Sequence, residues 1–428
     1  MQNSLKNFLS SQEDGSFFVG HASVLARIDK KLIMFDFVRN INFFLNSWFF
    51  FPKLEWTKEI IKKLDYIFIS HSHDDHFDPV LLKKIPKNIK IFLPAKRVGF
   101  ENFLKNHKIK NIFMINPNKI QKIDPTISAM AIPSDHNDID SSYFIKGKKF
   151  SLYHGNDNFL SPHLIKKAVS KFGPANHAYI PFAYVWWYPF CLTSISSKRR
   201  KNEGKRLSNK NMIIGEGISR ALKPDVVIPF AANMVYYDPA SVINKETANT
   251  FDFKTFCRKK KSIISNKVQN LFPGDYVLKN KLKNQIFSKK INKKIFFEKL
   301  KNFLKKAKNI YNADNKKFKI ENNLKKLKTY QKKLSKLKKI KLNRNLYVRT
   351  NNHLSKIIKI NPWQRNISLV NKIEKKNSYI FTFDPIPLKA WLEKKVSFED
   401  VLNSQRFTLE RYPEEFRQDI WKYIRNYL

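Results

Sequence analysis

The chemistry of this chain concentrates in His71-Ser72-His73-Asp74-Asp75-His76-Phe77-Asp78. Four of these residues, His71, His73, Asp75 and His76, form the pattern H-x-H-x-D-H. Neutral imidazole nitrogens together with a carboxylate suit a borderline-soft divalent ion: zinc, or iron or manganese. The chain has ten histidines in 428 residues, so three of them within six positions is a concentration that chance does not readily give. A tight loop would aim His71 and His73 to one side and Asp75 and His76 to the other. That arrangement predicts one or two divalent metal ions, with Asp75 and His76 taking part in catalysis as well as in ligation.

The elements around this loop must aim it. Tyr66 to Ile69 is an apolar run that ends at Ser70 and reads as a buried strand feeding the loop. Upstream, Phe17 to Leu25 and Leu32 to Asp36 read as two strands about a turn at Asp29 to Lys31. Trp56 to Leu64 has helical spacing, and Pro79 to Ile85 begins a helix behind the loop. Strands follow at Ile91 to Leu93 and Asn111 to Ile115, with a helix at Val98 to Asn106 between them. The strand Ile127 to Ile132 runs into Pro133-Ser134-Asp135-His136-Asn137. A hairpin of Tyr143 to Ile145 and Phe150 to Tyr153 runs into His154-Gly155-Asn156-Asp157. Helices are expected at Leu164 to Phe172 and Asn209 to Leu222. Strands are expected at Tyr179 to Phe182 and from Pro224 onward, with the aromatic loop Tyr184-Val185-Trp186-Trp187-Tyr188 after the first of them.

The H-x-H-x-D-H motif and the strands on either side resemble the metallo-β-lactamase superfamily, over residues from about 15 to 240. The resemblance implies an α/β chain with a metallo-β-lactamase-like αβ/βα four-layer sandwich and metals at the sheet edge. It also implies roles for further residues. His136 takes the place of the family's third metal histidine. Asp157, after Gly155, takes the place of the carboxylate that bridges two ions. Asp36 supports the metal loop through hydrogen bonds rather than by ligation. His21 is either substrate-facing or satisfied by backbone, and His154 is either a substrate contact or part of a hydrogen-bonded turn. Tyr184, Trp186 and Trp187 either stack a substrate ring or belong to the core.

Many members carry a final metal histidine in the closing strands. Here His177 precedes its strand, and the next histidine is His353. That absence, with Tyr188-Pro189-Phe190-Cys191 and Val227-Ile228-Pro229-Phe230-Ala231, is similar to a lactonase-like branch that includes the catalytic portion of CMP-sialic acid and UDP-muramic acid hydroxylases. Those enzymes add a Rieske domain that feeds electrons to a mononuclear iron. The two cysteines, Cys191 and Cys257, lack the histidine spacing of a Rieske cluster. Oxygenase chemistry would therefore need a separate electron-transfer protein. Two functions are expected. One is a metal-dependent hydrolase that uses metal-activated water on a small anionic or sugar-type substrate. The other is a mononuclear-iron oxygenase component acting on a nucleotide sugar or glycan precursor.

The formal net charge is +47, from 82 Lys and Arg against 35 Asp and Glu. Lys, Asn, Ile and Phe are abundant while Gly numbers only 10, as AT-rich codons would give, so the charge does not specify a nucleic-acid partner. The resulting field still favours anionic substrates and peripheral contact with anionic surfaces. From Phe251 to Thr350 there are 32 basic and 5 acidic residues, a net +27. Within this stretch Phe296, Leu300, Phe303, Ala307 and Ile310 mark one amphipathic helix, and Leu324, Leu327, Leu334 and Leu337 a second. The organisation expected is a catalytic domain over 1–244, a Lys-rich helical segment over 245–350 and a small α/β tail over 351–428. In the tail, Tyr379 to Phe383 reads as a strand, Ser397 as a helix cap, and Pro413 as the first residue of the last helix. The polar N-terminus and the absence of a long apolar run point to a cytoplasmic protein with no transmembrane segment.

Overall fold

The computed structural model describes residues 2–97, 99–100, 111–232, 234–236, 250–280, 284–288, 293–314, 344–351, 353–362, 364, 366–393 and 395–427. An eight-stranded sheet runs in the order Asn284–Phe287, Tyr276–Lys279, Gly15–Gly20, Ser23–Ile28, Lys31–Phe35, Tyr66–Phe68, Lys90–Pro94 and Ile112–Ile115. A six-stranded sheet runs Val226–Phe230, His177–Pro181, Ser151–His154, Ser141–Lys146, Ser128–Pro133 and Gln121–Lys122. The strands read as nearly continuous apolar runs because both faces are covered.

Alternate residues of each strand go to different cores. Phe18, Val24, Ile33, Phe35 and Phe68 meet Tyr143, Ile145, Tyr179 and Ile228 between the two sheets. Phe17, Leu25, Met34 and Ile67 face outward, into a core with Leu5 and Phe8 of the helix Gln2–Ser10 and Leu81 and Leu82 of Pro79–Leu82. On the far side, Met130, Ile132, Phe144, Ile180 and Val227 pack with residues of the helices Pro162–Phe172, Ser197–Leu222 and Thr250–Lys259. Helix, sheet, sheet, helix: this is the expected four-layer αβ/βα sandwich.

Several boundaries differ from the sequence expectation. Phe17 to Leu25 is not one strand. Gly20 (φ 132°) and His21 (φ 51°) turn the chain there, so Gly15–Gly20 and Ser23–Ile28 form a hairpin. A Cβ on Gly20 would meet Leu54 and Pro273 side-chain atoms at 3.0 Å as well as straining the backbone. The helix at Trp56 to Leu64 shrinks to Lys58–Ile61. The helix ending at Leu222 begins at Ser197, where Ser196 caps the Arg199 N–H at 3.2 Å. Its first three turns are too charged to show an apolar stripe. The helices placed at 98–106 and 324–337 fall largely or wholly outside the described residues.

The C-terminal part forms its own five-stranded sheet: Asn366–Val370, His353–Asn361, Asn345–Thr350, Ser378–Phe383 and Phe407–Tyr412. Pro413 follows its last strand, and the final helix starts at Gln418 rather than at Pro413. The capping box of Ser397 and Asp400 on Phe398–Asn403 is present as read. Trp187, Cys191, Leu192 and Ile195 enter the core of this unit. The boundary drawn at 244 cuts through one sheet, since Tyr276–Lys279 pairs with Gly15–Gly20.

The basic helix Lys293–Asp314 lays Phe296, Leu300 and Phe303 on Phe49, Phe51 and Val235. Phe49 and Val235 belong to a two-stranded ribbon of Trp48–Phe50 and Met234–Tyr236. No described helix is long and apolar enough to cross a membrane.

His177 is buried between Ser16 Oγ, 2.8 Å from its Nδ1, and Asn284 Oδ1, 3.1 Å from its Nε2. Burial pushes its pKa down from 6.5 to about 4, against the partial opposition of Asn284 and Asp225. The unfolded chain then binds a proton that the folded chain refuses, so stability falls as pH drops from 6.5 toward 4. The size is on the order of 3 kcal/mol. Denaturant titrations at pH 7 and pH 4.5 should show this loss in the wild type and a clearly smaller one in His177→Gln. Equal losses would remove His177 as the cause.

Candidate metal centre

Lys31–Phe35, Tyr66–Phe68 and Lys90–Pro94 are neighbouring parallel strands, with Phe35 and Phe92 in register with Phe68. Their carboxyl ends therefore open at one edge, where parallel α/β sheets place their sites. Asp36 follows the first strand in a left-handed turn (φ 43°) and donates its N–H to Phe68 O at 2.9 Å. Its buried carboxylate accepts from Ser70 N–H and Ser70 Oγ, both at 2.7 Å, and from His76 Nδ1 at 2.8 Å. The Ser70 hydroxyl, committed to Asp36, is left to accept from His71 Nδ1 at 2.9 Å. Both imidazoles then carry their proton on Nδ1, and both Nε2 lone pairs face the site.

What surrounds those lone pairs asks for a cation. His71 Nε2 lies 2.9 Å from His73 Nδ1 and 3.7 Å from Asp140 Oδ1. His76 Nε2 lies 3.2 Å from Asp75 Oδ2 and 3.3 Å from Asp157 Oδ2. His76 Nε2 and Asp140 Oδ1 are buried with no hydrogen-bond partner. Three groups of two imidazoles and one carboxylate keep their ligand atoms within 4.8 Å of one another: His71/His73/Asp140, His71/His76/Asp157 and His21/Asp75/His76.

The electrostatics agree. Burial drives the His71 pKa down to about 4, with the charge of His76 adding to it, so His71 stays a neutral donor. Burial also opposes a charged His76, but Asp75, Asp157 and Asp36 outweigh it and hold its pKa well above the usual imidazole range. Positive charge is wanted at this point, and a metal ion supplies it without a proton. Burial would raise Asp75, yet the charge of His76 and the hydrogen bond from His21 pull it well below the usual carboxylate range. Asp157 is likewise lowered by His76 against its burial. The donor set therefore fits divalent metal.

The structure brings His71, His73, Asp75, His76 and Asp157 together and sets Asp36 behind them. It does not bring His136. That side chain is 65% exposed and pairs with Asp135 at 3.2 Å. Asp140, unmarked in the sequence reading, stands beside His71 instead. Asn137 builds the turn that places it: its Oδ1 accepts from Ile139 N–H at 2.9 Å and Asp140 N–H at 2.8 Å, and its Nδ2 donates to Asp140 Oδ2 at 2.8 Å. Arg97 ties the turn down through Ser134 O and Asn137 O. The sequence signal was Asn137 three positions before a carboxylate, an Asx-turn pattern.

His21 donates Nε2 to Asp75 Oδ2 at 2.9 Å and lines a cavity of about 230 Å³ beside the cluster. Trp186 lines it too, 48% exposed. Tyr184 does not; its hydroxyl donates to Tyr188 O at 2.7 Å. Trp187 is turned into the C-terminal core, 4.9 Å ring to ring from Trp421. His154 is buried as well, stacked on Phe35 and donating to Ala22 O at 2.8 Å. Glu399, Asn403 and Gln405 of the C-terminal unit complete one cavity wall, which the sequence did not foretell.

No family profile matches the chain. It is 27% identical over 185 residues to a Mycolicibacterium smegmatis protein assigned by inference as a Rieske 2Fe-2S iron-sulfur protein, covering 40% of this chain and 34% of that one. It is 23% identical over 251 residues to the Streptomyces venezuelae 4-amino-L-phenylalanyl-[CmlP-peptidyl-carrier-protein] 3-hydroxylase, covering 53% of this chain and 45% of that one. The chain thus spans between a third and a half of the length of these curated relatives. Among solved structures, the metallo hydrolase Igni18 of Ignicoccus hospitalis is 17% identical with a TM-score of 0.42, covering 63% of this chain and 99% of that one. On its own layers and edge loop, this chain has the metallo-β-lactamase fold.

Asp140 and His136 can be separated directly. Asp140→Asn should weaken binding of Fe(II) or Zn(II) by about 10-fold or more, as loss of a charged metal contact does. His136→Ala should leave the affinity unchanged. Competition with a chromogenic chelator measures both, and the reverse order would restore His136 as the ligand.

Proposed function

We propose that the chain is the metal-dependent catalytic part of a hydroxylase-type oxygenase. The observation that carries this is Asp140 beside His71 and His73. Each of the three groups at the site is two histidines and one carboxylate, the donor set typical of non-haem Fe(II) oxygenases. In this reading His71, His73 and Asp140 would hold one ion as two imidazoles and a carboxylate; a second, if bound, would sit at His76 between the carboxylates of Asp75 and Asp157. Bound iron would supply the activation of O2, with two electrons drawn from a separate donor of the Rieske class and two protons from solvent, so that one oxygen atom enters a C–H bond and the other leaves as water. The partial match to a hydroxylase and to proteins assigned to the Rieske class supports this reading.

The chain's own residues do the positioning. Asp36 and Ser70 fix the imidazole tautomers. Asp75 shares its Oδ2 between His21 and His76 and, held ionised between them, fixes both rings at the cavity wall. The aromatic side chains Phe44, Trp48 and Trp186 keep one wall of the cavity apolar.

Hydrolysis is the second reading. What favours it is the same Asp75 carboxylate, held ionised at the cavity wall, where it would orient an attacking water by accepting its hydrogen. The two readings separate on the metal and on oxygen. Protein reconstituted anaerobically with Fe(II) should consume O2 when given a reduced Rieske-type ferredoxin, and His71→Ala/His73→Ala should lose most of that uptake. Turnover of lactones or phosphoesters by the zinc form, with no iron-dependent O2 uptake, would establish the hydrolase instead.

A further inference from the structure

We propose that the turn after the helix Thr250–Lys259 is a membrane-docking tip. It seats the protein on an anionic lipid surface, with Ile263 among the headgroups and Arg258, Lys259, Lys260 and Lys261 around it. This goes beyond the proposed function and stands independently of it.

The first observation is an apolar side chain left in water. The helix ends in a left-handed turn at Lys261 (φ 50°), where Lys261 N–H donates to Arg258 O at 3.0 Å and Ser262 N–H to Cys257 O at 2.9 Å. The turn parts two adjacent isoleucines. Ile264 enters the core behind the six-stranded sheet, whereas Ile263 is 82% exposed; among the described residues no large apolar side chain is more so. Glu216 Oε1 accepts from Ser262 Oγ at 2.5 Å, and Ile213, 54% exposed, lies one turn before Glu216 on Ser197–Leu222. That helix thus brings a second exposed isoleucine to the same corner.

The second observation is the charge around the tip. Arg258, Lys259, Lys260 and Lys261 are all exposed, and none of their side chains is ion-paired with a described residue. Glu216, the carboxylate that meets the turn, is taken up by Ser262 and by Arg220 at 2.8 Å. Near an anionic bilayer each Lys or Arg strengthens binding by about 5-fold. An apolar side chain set among such cations suits a membrane interface, which takes both. A nucleic-acid backbone would use the cations and offer the isoleucine nothing.

The third observation is where the tip lies. Val268, just after the turn, runs parallel to Val227 near the start of Val226–Phe230. The turn therefore sits at the amino-terminal edge of the six-stranded sheet. Asp157 and the cavity-lining Ala231 follow the carboxyl ends of Ser151–His154 and Val226–Phe230, at the opposite edge. Lys148 and Lys149, before Ser151–His154, and Lys223, before Val226–Phe230, are exposed and add to the charge of the amino-terminal edge. A bilayer against that edge leaves the cavity open to water.

Co-sedimentation of the full-length protein with phosphatidylcholine vesicles, with and without phosphatidylglycerol, tests the proposal. At low salt the vesicles that contain phosphatidylglycerol should bind about 100-fold more tightly or better. Lys260→Glu/Lys261→Glu should weaken that binding by about 25-fold or more. Ile263→Ser should weaken it by about 5-fold, and circular dichroism should be unchanged in both variants. Lys83→Glu/Lys84→Glu makes the same change of net charge on exposed residues behind the other sheet and should bind as the wild type does. Equal binding to the two vesicle types would overturn the proposal, as would unchanged binding in either turn variant or an equal loss in the Lys83/Lys84 control. Turn-dependent capture of a duplex DNA oligonucleotide, with no sedimentation on either vesicle, would overturn it in favour of a nucleic-acid contact.

Discussion

One buried carboxylate organises the site. Asp36 is fully buried and accepts three hydrogen bonds, from Ser70 N–H, Ser70 Oγ and His76 Nδ1. Burying a charge costs several kcal/mol unless it is paired and hydrogen-bonded, and bonds to a charged group contribute on the order of 1.5–3 kcal/mol each. Burial raises its pKa, but the charge and hydrogen bond of His76, with His154 and His71 adding to it, bring it below the usual range. Asp36 thereby joins the end of one parallel strand to the loop after the next. It also decides which nitrogen of His71 and of His76 is free. Without that choice of tautomer the four motif residues would be a polar loop rather than donor atoms turned toward one another.

The sequence revealed most where the information is local. His71, His73, Asp75 and His76 lie within six positions, and the strand before them is a bare apolar run, so both the cluster and its launch point could be read. The layered fold was legible for a related reason: strands covered on both faces show as short apolar runs between polar breaks. Asp140 was not legible. Which of His136 and Asp140 turns inward depends on a turn made by Asn137 and on Arg97, 40 residues earlier in the chain. Trp186 and Trp187 illustrate the same limit. Adjacent in sequence, one lines the cavity and the other fills a core made by residues about 200 positions later. The Gly20-His21 turn lay hidden inside an apolar run, because a positive φ leaves little trace in composition.

The parts of the chain appended to the sandwich also shape the site. The ribbon of Trp48–Phe50 and Met234–Tyr236 has Trp48 and Tyr236 at the cavity, while Phe49 and Val235 pack beneath the basic helix Lys293–Asp314. The C-terminal unit shares a core with the loop after Pro181 and closes the opposite wall through Glu399, Asn403 and Gln405. Gln405 Nε2 donates to Val185 O and Tyr236 OH, both at 2.5 Å, and so ties that unit to the aromatic wall. The charge that dominates the composition is absent from the described cavity lining, which is aromatic and acidic.

Everything proposed for this site depends on these histidines and carboxylates binding metal. Elemental analysis of the protein after anaerobic reconstitution with Fe(II) and removal of loosely held metal tests it most directly. One to two tightly held transition-metal ions per chain are expected, bound with release of protons as the site exchanges them for metal. A folded protein that retains essentially no metal under these conditions would contradict it.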